Sequence, residues 1–376
     1  MLAQTKYRAY RLATTMAVIR RVTNILALAM AAALLGQLST GQAQTPQLSA
    51  GSYVERSNDW YKKGEFERAM ADLDIALTFD SRFAPAYLLR GLIRQRMGDP
   101  DGALDDFSRA IESQPLLAEA YHNRAAVYIL KRNWKAALAD ASRAIEITPR
   151  SAEAFNKRGE AYHSMGEFDA ALRDYDKAIA LNSRFAEALN NRGALHYEKG
   201  NIKASLADFD RAIKLNPNFA KAFANRGNAR VGSGDVAGAL TDLNQALALD
   251  PAMASGYYSR GNAWKARGNS NLAIADYDRA LQLDPQYVMA YNNRGSTHLA
   301  QGAFNEAIED FSRALEIDPR NATLFLNRGL AVLLTGNPVE AQRDFDECLK
   351  LAAQNRGIFE KRIQEIKHRV AGKPKQ

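Results

Sequence analysis

The chain has 376 residues, 47% hydrophobic and 24% charged, with a formal net charge of +8. This composition excludes a disordered, collagenous or polytopic membrane protein, and a single cysteine, Cys348, excludes a disulfide framework or a multi-thiolate metal centre. The positive balance sits at the two ends. Residues 1–43 hold Lys6, Arg8, Arg11, Arg20 and Arg21 with no acid, residues 356–376 are again basic, and the body between them is nearly neutral. With no long basic face to follow phosphates, nucleic acid is not an expected partner.

Residues 22–38 carry no charge and are mostly apolar, Arg20-Arg21 stand before them, and Gly41-Gln42-Ala43 follow. This charged, apolar, small-residue order predicts an export signal over 1–43. An uncleaved anchor is the other reading, since the apolar run is marginal for a span. Both place the body outside the cytoplasm, secreted or periplasmic, with membrane contact only through this segment. Met16 offers a second start that gives a signal of more usual length. Residues 44–49 are a short linker.

One period of 34 residues then governs residues 50–355. Arg-Gly recurs at Arg90, Arg158, Arg192, Arg226, Arg260, Arg294 and Arg328, Arg124-Ala125 fills the gap, and Arg56-Ser57 begins the series. The units are 50–83, 84–117, 118–151, 152–185, 186–219, 220–253, 254–287, 288–321 and 322–355. Each holds a first segment with small and aromatic residues at helical spacing, a turn glycine such as Gly200, and a second segment such as Lys203–Leu215. Asn-Pro or Asp-Pro then stops the helix, as at Pro217 and Pro251. Ala69, Ala103, Ala137, Ala171, Ala239, Ala273, Ala307 and Ala341 form one small-residue column, interrupted only by Ser205. A second runs from Ala76 to Ala314 and ends at Cys348, which is therefore expected in the core. Two helices per unit cannot bury their apolar sides alone, whereas stacked units can. The prediction is an all-α solenoid.

Phe359, Ile363, Ile366 and Val370 lie on one face of a further helix. Residues 356–376 are expected to cap the last unit and finish in a basic tail.

The run Ala290 to Gly295, the turn at Gly302, the segment Glu306 to Ala314 and Asp318-Pro319 resemble a tetratricopeptide repeat, and the resemblance covers residues 50–355. It implies a right-handed superhelix whose first helices line a concave groove, and a binding scaffold for peptides or proteins. A small-molecule substrate, a cofactor, a metal and catalysis are not implied. The array leaves no length for a catalytic domain, and no phosphate loop, nucleophile triad or histidine pair appears. Some units depart from the pattern. Arg94 and Arg230 replace an aromatic residue, Arg132 replaces the turn glycine, and Ser81, Ser183 and Ala353 replace the proline. Ala353 is expected to let the last helix of the array run on.

Two columns carry the functional expectations. An Asp recurs in every unit, from Asp72 to Asp344, and is expected to pair with the repeated Arg of its own or the preceding unit. Asparagines form the other column: Asn123, Asn191, Asn225, Asn293 and Asn327, with Asn156, Asn190, Asn228, Asn262 and Asn292 on nearby first-helix positions. An amide offers two donors and an acceptor, so a row of amides can bracket an extended peptide backbone without reading its sequence. The row is similar to the asparagine ladders by which some tetratricopeptide domains hold peptides. The family's carboxylate clamp is not matched: Val54, Leu88, His122, Asn156 and Asn190 fill the slots that need lysine, and Lys221 with Asn225 and Asn228 is the nearest fragment. The functional expectation is therefore a groove that binds an extended peptide or partner protein. The alternative is a structural subunit of an envelope assembly that uses its ridge or its C-terminal helix.

Overall fold

A computed structural model describes residues 49–371. The predicted export signal, most of the linker and the final basic residues lie outside that range. Eighteen helices form nine hairpins: Ala50–Lys62 with Phe66–Phe79, Ala84–Arg96 with Pro100–Ser113, Ala118–Leu130 with Trp134–Ile147, Ala152–Ser164 with Phe168–Leu181, Ala186–Glu198 with Ile202–Leu215, Ala220–Gly232 with Val236–Leu249, Ala254–Ala266 with Ser270–Leu283, Val288–Ala300 with Phe304–Ile317, and Ala322–Leu334 with Pro338–Leu351. A last helix, Arg356–Ala371, follows. No strand occurs among the described residues. Each hairpin packs on the next in one repeated pattern, a solenoid. Successive first helices touch each other while successive second helices stand apart, so the first helices line the concave side.

The turns explain the sequence departures. The turn glycines adopt φ between 76° and 87°, where only glycine is unstrained. At Gly200 the Asn201 amide donates back to the His196 carbonyl at 2.8 Å and closes the helix end. The third unit makes the same bond, from the Asn133 amide to the Tyr128 carbonyl at 2.8 Å, but its turn residue is Arg132 at φ 56°. Arg132→Gly is therefore expected to stabilise the array by up to about 1 kcal/mol, read as a higher urea midpoint, because left-handed strain is relieved at some cost in unfolded-chain entropy. An unchanged or lower midpoint would refute this.

Proline is dispensable in the loops between units because the residue before it does the work. Asn216 accepts from the Asn218 amide through Oδ1. Asp80 and Asn182 form the same turn onto Arg82 and Arg184, although Ser81 and Ser183 stand where others have proline. Ala353 does not let the last helix of the array run on: that helix ends at Leu351, and a 3-10 turn at Ala353–Asn355 redirects the chain into the last helix. Ile363 of this helix is buried against Leu326, Val332, Phe345 and Cys348, with Phe359 and Ile366 half-buried beside it. It covers the apolar side of the ninth unit, as a solenoid end requires.

Small residues set how closely helices approach. Both alanine columns are buried, and Cys348 occupies its place in the second with no exposed surface, where burial pushes its thiol up to about 11. In seven units the residue after the repeated Arg is glycine, packed against the ring or branch of the residue sixteen further on, such as Tyr175 beside Gly159. The third unit places Ala125 opposite Ala141, and the first places Ser57 opposite Leu73. The chain thus trades bulk between paired positions and keeps the spacing.

Candidate functional site

The Arg and Asp columns meet in every unit. Each Arg donates two parallel N–H bonds to the Asp sixteen residues on, in the second helix of its own unit, at 2.5–3.0 Å over the nine pairs. The aspartates are buried. The fork geometry suits a planar guanidinium, and the bond to Asp208 holds the Arg192 guanidinium above its ordinary range. The remaining nitrogen reaches back one unit. Arg90 bonds Asp74, Arg192 bonds Asp176, Arg226 bonds Asp210 and Arg294 bonds Asp278. Ser108, Asn244 and Ser312 accept in the same slot. In most units the guanidinium also lies over the aromatic residue three positions earlier, as Arg226 over Phe223 at 5.6 Å. One side chain therefore links two helices of its unit to the preceding unit.

Arg94 and Arg230 enter the same system. Arg94 reaches Asp106 at 2.8 Å and the Gly102 carbonyl at 3.0 Å; Arg230 reaches Asp242 at 2.9 Å and the Gly238 carbonyl at 3.2 Å. These arginines occur with a glycine at the third position of the facing helix, where a guanidinium can come up to the backbone.

The asparagines occupy the concave side, and the structure joins their columns across units. Asn191 donates to Asn156 Oδ1 at 3.1 Å and to Glu160 at 2.9 Å in the preceding unit. Three units later Asn293 repeats the pattern on Tyr258 OH at 3.1 Å and Asn262 Oδ1 at 2.8 Å. Asn225 donates to Asn190 at 2.9 Å, and Asn327 to Asn292 at 2.9 Å. Asn156 and Asn190 are buried. Asn156 also donates to Glu160, which binds Lys157, so Asn156 is a strut that positions Asn191 and Glu160 and has no open face. Tyr277 donates to Asn262 Oδ1 at 2.8 Å, and its burial raises its hydroxyl above the usual tyrosine range. Asn123 stands apart: its amide returns to the Glu119 carbonyl of its own helix, because Leu88 offers no partner in the unit before.

The network leaves defined groups open toward the groove. Among the described residues no side chain donates to the carbonyl of Asn225 or Asn327, the Asn262 amide nitrogen has no acceptor, and Asn228 makes no side-chain bond. Asn225, Asn228, Asn262, Asn293 and Asn327 are all half-buried. Asn190, Asn191 and Asn225 line a hollow of about 490 Å³ with Lys157, Glu160 and Lys221. Glu160 and Tyr258 belong to the ladder although they are not asparagines; counting by 34 puts Glu160 in the column of Asn228 and Asn262, and Tyr258 in that of Asn156 and Asn190. In that same column His122 keeps Nδ1 buried without a partner, and burial lowers its basicity.

No group of His, Cys, Asp and Glu suited to a metal occurs among the described residues, and none of their helices is long and apolar enough to cross a membrane. Models described as TPR repeat match residues 159–200, 227–268 and 261–302. Models described as tetratricopeptide repeat match 88–152, 186–219 and 288–321. None of the curated proteins compared matches the chain. Among solved structures, a tetratricopeptide repeat protein from Parabacteroides merdae is similar over 66% of this chain and 98% of its own, at 22% identity and a TM-score of 0.54. The APC/C hetero-tetramer Cut9–Hcn1 is similar over 84% of this chain and 76% of its own, at 14% identity and a TM-score of 0.62. These likenesses are of fold. The family matches together span more than half of the chain, and with the nine stacked hairpins they make it a member of the tetratricopeptide repeat family.

Proposed function

We propose that the chain is a protein-interaction scaffold that binds an extended peptide segment of a partner protein along its concave side. The observation that carries this reading is the set of half-buried amides whose open groups, at Asn225, Asn228, Asn262 and Asn327, follow one another along touching first helices. An extended backbone presents N–H and C=O groups at regular intervals, and rigid amides meet them without ordering cost of their own. Contacts repeated over several units add up even where each is weak. The export signal expected over residues 1–43 supports placing the scaffold outside the cytoplasm.

Peptides selected on the full chain from a phage-displayed random library supply the probe. Asn225→Ala/Asn228→Ala is expected to weaken their binding about tenfold or more, since each lost bond to a backbone group contributes about 1 kcal/mol, with little change in thermal midpoint. Unchanged affinity in the double variant would refute the groove as the binding surface.

A further inference from the structure

The concave side ends in a cleft that the amide network does not account for. Leu299, Leu330 and Leu334 from the first helices of the eighth and ninth units face Ile358 and Ile366 of the last helix across about 660 Å³. Asn327, the final amide of the ladder, lies in the same wall, and Lys361, Arg362 and Glu365 stand on the last helix beside it. Capping uses the side of that helix that buries Ile363. Ile358, Lys361, Arg362 and Glu365, spaced i, i+3, i+4 and i+7, form a second stripe turned to the cleft.

Capping does not explain this stripe. Ile358 is 69% exposed, a large branched side chain left in water at the mouth of a leucine-walled hollow, and such surface gains by being covered. The charge is lopsided as well. Two cations stand beside one carboxylate, and neither Lys361 nor Arg362 forms an ion pair among the described residues.

Resting on the reading of the groove as a peptide site, we infer that this cleft is its specificity pocket, taking a large aliphatic or aromatic side chain of the bound peptide with an acidic residue next to it. The upstream amides hold a backbone and are indifferent to its side chains. Discrimination comes from the end of the groove, where the leucine and isoleucine walls desolvate the apolar residue and the two cations meet the carboxylate. Those cations stay hydrated at the rim, so they select among peptides and speed encounter more than they deepen affinity.

The test titrates fluorescent copies of the library-selected peptides against the full chain and three variants: Lys361→Glu/Arg362→Glu, Ile358→Asp and Asn225→Ala/Asn228→Ala. The first two alter exposed side chains, and thermal melts check that they fold. Wild-type selection is expected to yield peptides with a large apolar residue beside Asp or Glu. Charge reversal and Ile358→Asp should each weaken them about tenfold, and a new selection on the charge-reversed chain should replace Asp or Glu by Lys or Arg. Peptides that depend on Asn225 and Asn228 but share no apolar–acidic pair, or ignore the charge reversal, overturn the pocket and leave the groove standing. A library that yields no binder overturns both. Self-association that Ile358→Asp abolishes and no peptide competes with gives the cleft to a second copy and also overturns the inference.

Discussion

Asp106→Ala is expected to destabilise the array by about 3 kcal/mol or more, an effect shared in its column only by Asp242, which also receives two arginines. Asp106 has no exposed surface and receives both Arg90 and Arg94. Its removal takes the shared buried acceptor from two guanidiniums at once, leaving Arg90 with the exposed Asp74 and Arg94 with the Gly102 carbonyl, and breaking a buried pair from one side costs about 3–5 kcal/mol. The urea midpoint should fall, and because each unit leans only on its neighbours the transition should broaden as the second unit loosens first. Asp208→Ala removes one partner from Arg192, which keeps Asp176, so its midpoint should fall less. Equal midpoints for Asp106→Ala and the wild type would refute a structural role for the column. The pairs fix register more than they add net stability, since burying charge cancels much of what the pairing gains.

Gly159→Ala is expected to cost about 2 kcal/mol although alanine is the better helix former. An added Cβ would stand 2.7 Å from Cε1 and 2.8 Å from Cδ1 of Tyr175, a ring with no exposed surface and no room to yield. Overpacking of this kind costs about 1–3 kcal/mol, against a propensity gain of at most about 1 kcal/mol. The third unit shows the compensated arrangement, Ala125 opposite Ala141. In a Tyr175→Ala background the same substitution should therefore be neutral or stabilising, and the double-mutant cycle should give a coupling well above additivity. Additive effects would show that the two positions do not constrain each other.

The period of 34 made most of the fold legible. It placed all nine hairpins, both alanine columns, the buried place of Cys348 and the Arg and Asp columns, because one unit's pattern is tested eight more times within the same chain. The partner of each Arg was legible only as a choice between the column Asp of its own and of the preceding unit; the structure takes the one in its own unit, and the backward bonds go to residues two positions past the preceding column Asp, such as Asp176 for Arg192. The site was less legible. Asn191 reaches Asn156 and Glu160 at separations of 35 and 31, and Asn293 reaches Tyr258 and Asn262 at the same two. Those separations come from how one first helix settles against the next, a phase that no single unit contains. The same phase buries Asn156 and leaves Asn225 and Asn262 partly open. Arg94 and Arg230 read as losses of an aromatic residue until Gly102 and Gly238 are seen to accept them. Ala353 read as a continuation because a 3-10 turn has no distinctive local signal.

The backward reach of most of the guanidiniums has a consequence for the history of the array. Were residues 186–219 excised, Arg226 would come to rest beside Asp176 in place of Asp210, and Asn225 beside Asn156 in place of Asn190, each meeting an equivalent acceptor. Inserting a copy of that unit would meet the same welcome. Gain or loss of whole modules by unequal recombination leaves no orphaned charge at the new junction, so the length of the coil, and with it the span of ligand it encloses, is free to drift while its stitching stays intact.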